Sequence, residues 1–111
     1  MTRYRFYVGN TQKDGISRVD FQPVRAWLTT IFGGLTEYAV RGKWREDGLG
    51  PVHSERSTVF ECLGDSWGGV EDPGGTKTYH ARATIAAETL RDLAGQATVL
   101  WTVDTVDGGF V

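Results

Sequence analysis

Two stretches of this 111-residue chain repeat their apolar residues at helical spacing, and each lies between stretches that alternate like β-strands. That order, strand-helix-strand-strand-helix-strand, is the feature that most restricts the fold. In "RYRFYVG" (3–9), Tyr4, Phe6 and Val8 face one way, and Arg3, Arg5 and Tyr7 the other. A polar loop, "NTQKDGISRVD" (10–20), follows, with Asp14-Gly15 as a turn signal. Asp20 can cap a helix and Pro23 fits its first turn. Val24, Trp27, Leu28, Ile31, Phe32 and Leu35 then form an apolar stripe, and Gly33-Gly34 ends it.

Residues 36–46 alternate again, and "DGLGPVHSE" (47–55) interrupts them with turn-forming residues. "RSTVFECLG" (56–64) is rich in β-branched and aromatic residues and reads as the second arm of a hairpin. "GDSWGGVEDPGGTK" (64–77) holds five glycines in fourteen residues, which makes it a loop. In "TYHARATIAAETLRDLAG" (78–95), Tyr79, Ala83, Ala86, Leu90 and Leu93 form a stripe that Gly95 ends. The chain closes on a strand within residues 96–111, with Val99, Trp101 and Val103 on one face and Leu100, Thr102 and Asp104 on the other. The reading is a single α+β domain over residues 1–111 with a ferredoxin-like βαββαβ layout. Four antiparallel strands lie in the order 4-1-3-2, and both helices cover one face.

The helices need an apolar floor. Tyr4, Phe6, Val8, Val40, Trp44, Val99, Trp101 and Val103 are expected to supply it, at about 25 cal/mol per Å² of apolar area buried. That choice sends Arg3, Arg5, Arg41, Lys43 and Arg45 to the uncovered face. The third strand is ambiguous, because Thr58, Phe60 and Cys62 compete with Val59, Glu61 and Leu63 for the inside. Two readings of the cations stay open. They can form ordinary cross-strand pairs with Glu61 or Glu55 and guard an edge strand. Alternatively they hold a phosphate, for which arginine's planar fork is suited. In the second reading the ligand-binding residues are Arg41, Lys43 and Arg45, with Arg3 and Arg5 assisting, and Trp67 in the 64–77 loop stacks on a flat ligand.

Several classes are disfavoured. A net charge of −2 and a pI near 5.6 do not suit a general nucleic-acid binder. Cys62, the single cysteine, has no intrachain disulfide partner, and no Cys/His spacing suggests zinc. Neither GxxxxGK[ST] nor GxGxxG occurs, so no cofactor is expected. No apolar run approaches the roughly 20 residues of a membrane span, and the first residues lack a signal-peptide pattern; a cytoplasmic protein is expected. His53 and His80, the two histidines, offer a general base for a hydrolase or isomerase on a dimeric scaffold, assisted by Glu55, Asp65 or Ser66, but no nucleophile or metal motif accompanies them.

The segments "YRFYVGN", "EYAVRGKWRE", "ERSTVFE" and "VLWTV…GGFV" resemble a group of small uncharacterised α+β proteins of phages and bacteria. The matching positions are Gly9 closing the first strand, Gly42 and Trp44 as Gly-x-Trp on the second, and Glu55 after the hairpin. The resemblance implies a phage-encoded protein in the host cytoplasm. It is compatible with a homo-oligomer that sequesters a phosphorylated, nucleotide-like signal in an anti-defence role. A protein-binding accessory or inhibitor that uses the open sheet face is the third reading.

Overall fold

The computed structural model describes residues 1–45, 48–64 and 78–111, with only the backbone at Trp44. It contains β1 (Thr2–Gly9), α1 (Gln22–Phe32), β2 (Thr36–Trp44), β3 (His53–Leu63), α2 (Tyr79–Leu93) and β4 (Leu100–Thr105). The strands form one antiparallel sheet in the order β2-β3-β1-β4. This is the expected ferredoxin-like arrangement. β1 is central because it carries three apolar side chains in phase, and Tyr4, Phe6 and Val8 are all fully buried.

Local chemistry sets the helix ends. Asp20 Oδ1 accepts the Gln22 N–H at 3.0 Å, although Phe21 is the residue at the cap position. Gly33 takes the left-handed conformation (φ 82°) that lets its N–H close back on the Thr29 carbonyl at 2.8 Å. Thr78 caps α2 by accepting the Ala81 N–H at 3.1 Å. The buried face of α2 is Ala83, Ala86, Ala87 and Leu90, while Tyr79 and Leu93 sit at its margins, 44% and 40% exposed. Small alanines let α2 lie close over β1 and β4, and α1 packs over β3. Val24, Leu28, Ile31 and Phe32 of α1 complete the core with Phe60 and Cys62 of β3. The third strand is thereby resolved: Phe60 and Cys62 face the helices, and Val59 and Glu61 face away.

The parity of β2 is the reverse of the one expected. Phe60 pairs with Phe6 on one side and with Glu37 on the other, so Glu37, Ala39, Arg41 and Lys43 share the helix-side face. Glu37 reaches Arg25 of α1 at 2.8 Å from that face. Tyr38 and Val40 instead lie on the open face, and position 44 has the same backbone parity; the Trp44 side chain lies outside what is described. The cause is a second apolar layer. Tyr38, Val59, Tyr7 and Leu100 are consecutive register partners and make a row across all four strands of the open face. Val59 within it is only 1% exposed. β2 needs no helix to cover its apolar residues, and its outer half runs past the helix layer, leaving Ala39, Arg41 and Lys43 exposed.

β3 begins at His53, three residues before the strand read from sequence, which shortens the hairpin tip. β4 ends at Thr105, where the Met1 ammonium donates to the Val106 carbonyl at 2.9 Å and the Val106 N–H returns to the Met1 carbonyl at 2.9 Å. No helix among the described residues is long and apolar enough to cross a membrane.

Two substitutions separate the two faces. Phe60→Ala is expected to cost about 3–5 kcal/mol in urea unfolding. Val40→Ala, on the open face, is expected to cost less than about 1 kcal/mol; a loss of about 2 kcal/mol or more would return Val40 to the helix side.

Candidate functional site

The open face carries two zones around its apolar row. On one side lie charges in register. Arg5 stands opposite Glu61 and donates to its carboxylate at 2.8 Å. Arg3 stands opposite Asp104 and engages both carboxylate oxygens, Nε to Oδ1 at 2.9 Å and a second bond from NH2 to Oδ2. These are cross-strand ion pairs, and they commit both arginines. The hydrogen bond from Arg3 holds the Asp104 carboxyl below the ordinary carboxylate range.

Beyond the other side of the row is a cleft of about 720 Å³. Tyr7, Val40 and Leu100 form its apolar wall, with Arg41, Gly42, Glu55 and Ser57 on the hairpin side and Lys13 and Thr11 on the loop side. Its floor is built around Gly9. A Cβ at that position would overlap Glu55 Oε1 and lie 2.7 Å from Gln96 Oε1. Glycine is needed here because the backbone lies directly under two polar side chains.

Gln96 is the structural centre of this end of the sheet. It is 8% exposed, accepts the Gly9 N–H at 3.1 Å, and donates from Nε2 to the Thr11 carbonyl at 3.0 Å and the Ala94 carbonyl at 3.2 Å. One amide thus joins the end of β1, the loop after it and the end of α2. The Lys13 N–H adds a bond to the Gly95 carbonyl at 2.8 Å, which fixes the loop rim. Glu55 differs from Glu61 and Asp104: its carboxylate has no ion pair or hydrogen bond among the described residues.

The sequence-derived site residues do not converge. Arg3 and Arg5 lie on the open face in ion pairs, whereas Arg41 and Lys43 have helix-side parity on edge strand β2 and Arg41 also borders the Glu55 cleft, so the expected five-cation stripe does not exist. β2 parity, fixed by its register with β3, is the reason. Glu61 accordingly faces Thr36 across β2 and not a second basic row. Arg45 follows the end of β2 and is exposed. Trp67, with Asp65 and Ser66, lies outside the described residues. His53 pairs with position 44 at the outer end of the hairpin, and the His80 ring stands edge-on to Trp101 at 5.3 Å. Neither histidine lines the cleft. Burial pushes the Cys62 thiol up to about 12, so it is a core residue and not a thiolate at neutral pH.

Sequence reasoning missed Gln96, Tyr7, Lys13 and Ser57 as parts of one site. Gln96 follows a helix-ending glycine and looks like a turn residue. Gly9, Gly42 and Glu55, quoted above for the family resemblance, all line the cleft. Comparison of the chain with family models, curated proteins and solved structures finds no match.

Gln96→Ala is expected to lower stability by about 1–3 kcal/mol, because it leaves the buried Gly9 N–H without a partner. Gly9→Ala should displace the Gln96 amide and weaken the Gln96–Thr11 bond, seen as loss of amide exchange protection in the 10–13 loop. For Asp104 the folded pKa is depressed, so its contribution is present above the unfolded value of about 3.9 and is lost as pH falls through the folded one. The Asp104→Asn variant should therefore lose stability less steeply than the parent below about pH 4 in acid-titrated thermal unfolding.

Proposed function

We propose that the chain is a non-catalytic small-molecule-binding protein whose cleft accepts the flat, N–H-bearing portion of a nucleotide-type ligand. The observation that carries this reading is the uncommitted Glu55 carboxylate beside the apolar wall of Tyr7, Val40 and Leu100. A carboxylate accepts hydrogen bonds only, so it selects a ligand that presents donors. A concave, mainly apolar site with few polar groups is the usual form of a small-ligand pocket. The wall suits a planar ring, and Lys13 at the rim suits an anionic substituent. The Glu55 cleft, which Arg41 also borders, replaces the stripe of Arg41, Lys43, Arg45, Arg3 and Arg5 as the proposed ligand seat.

The biological setting rests on the family resemblance: a phage-encoded protein, assembled as a homo-oligomer, that sequesters a nucleotide signal of a host defence system. An acid–base enzyme has less support, since neither His53 nor His80 lies with Glu55 in the cleft. Tyr38 and Leu100, 39% and 61% exposed on the same face, favour a second reading in which a protein partner docks there.

Equilibrium binding to a panel of unphosphorylated nucleosides tests the proposal. Saturable binding is expected, weakened about tenfold or more by Glu55→Gln, with the ligand recovered intact after denaturation. Absence of nucleoside binding, or equal binding by the Glu55→Gln variant, rejects the reading; chemically altered ligand favours the enzyme.

A further inference from the structure

Eight of the described cations fall into two groups, with Lys13 at the Glu55 cleft and the exposed Arg45 apart from both. Arg3, Arg5, Arg25 and Arg91 are each ion-paired, with Asp104, Glu61, Glu37 and Asp92. Arg18, Arg41, Lys43 and Arg56 have no ion pair or hydrogen bond from their side chains among the described residues. Arg41 and Arg56 are direct register partners across β2 and β3, so both have helix-side parity, and Arg41, on the edge strand, also borders the Glu55 cleft. Lys43 lies two positions further on the same face. Arg18 and Arg56 line one cleft of about 290 Å³, together with Asn10, Thr11, Val19 and Phe21.

Like charges directly opposite on neighbouring strands are unfavourable. The nearest carboxylate on this face of β2, Glu37, is already engaged by Arg25 at 2.8 Å. The backbone around the cleft is held in place. The Asn10 N–H donates to the Arg56 carbonyl at 3.0 Å, the Val19 N–H donates to the Asn10 carbonyl at 3.0 Å, and the Thr58 hydroxyl donates to Asn10 Oδ1 at 2.9 Å. Arg18 is thereby carried on a loop stitched to the strand that carries Arg56.

We infer that Arg18 and Arg56 form an anion site for a phosphate group at the small cleft they line, neither arginine being part of the Glu55 cleft. Two guanidinium forks at one cleft can bind phosphate oxygens in pairs. Phe21 and Val19 give one side of the cleft an apolar wall.

Isothermal titration of the full chain with inorganic pyrophosphate is the test. Saturable binding is expected, weakened at least about tenfold by Arg18→Ala or Arg56→Ala and unchanged by Arg91→Ala, with far-UV circular dichroism of every variant matching the parent. Arg56→Lys should retain part of the affinity, since it keeps charge without the fork. Absence of saturable binding, or variants at Arg18 and Arg56 that bind like Arg91→Ala, overturns the inference. Loss of pyrophosphate binding in Glu55→Gln also overturns it, because the site would then belong to the other cleft. A nucleoside diphosphate that binds at least about tenfold tighter than pyrophosphate supports a phosphate carried by a larger ligand, and equal binding supports a free polyphosphate. Nucleoside binding at the Glu55 cleft should survive Arg56→Ala, so the two proposals fail separately.

Discussion

The register between β2 and β3 governs what this molecule can present on each surface. Phe60 and Cys62 must face the helices because the core closes over them. Once they do, pairing by single residues leaves β2 no choice of side: Glu37 stands beside Phe60, and every second residue after it follows. A shift of one residue would exchange Arg41 and Lys43 for Val40 and position 44, and would move the cations from one face of the protein to the other. The apolar row Tyr38–Val59–Tyr7–Leu100 is what makes the observed register acceptable, since it gives the outward-facing apolar residues of β2 neighbours of their own.

The same register explains what was legible from sequence. Element order, sheet order and the helix side of β1 and β4 follow from strong alternation and from helix stripes that start and stop at recognisable residues. β3 needed the packed core to choose between its two faces. β2 failed because its pattern, Tyr38 and Val40 against Arg41 and Lys43, states that it has an apolar and a charged side without saying which layer the apolar side meets. In a two-layer fold the helices are the default answer. Here the hairpin extends past the helix layer, and the open face has a hydrophobic layer too. The candidate site was less legible still. Its parts come from the end of β1, the following loop, the start of β3 and the turn after α2, and no linear pattern joins Gly9, Glu55 and Gln96.

The arginines show how little a count of charges says about a surface. Arg5 and Glu61 face each other across a strand pair, and so do Arg3 and Asp104, which reduces that part of the sheet to near neutrality and makes it structural. Arg41 and Arg56 face each other with the same sign. The first arrangement contributes modestly to folding, as exposed pairs do. The second is a local cost in the folded state, and such costs are commonly found where a protein meets something else.

Gln96 carries a consequence for how this protein can change. Its three hydrogen bonds fix the backbone under the Glu55 cleft and also fasten α2 to the loop after β1. Variation at this position is therefore read twice, once as foldability and once as the shape of the cleft. Glu55, at the exposed rim, carries no such bond among the described residues. In the binding role proposed above, exchanging that rim residue over an unaltered amide would reshape the cleft without renegotiating how the chain folds.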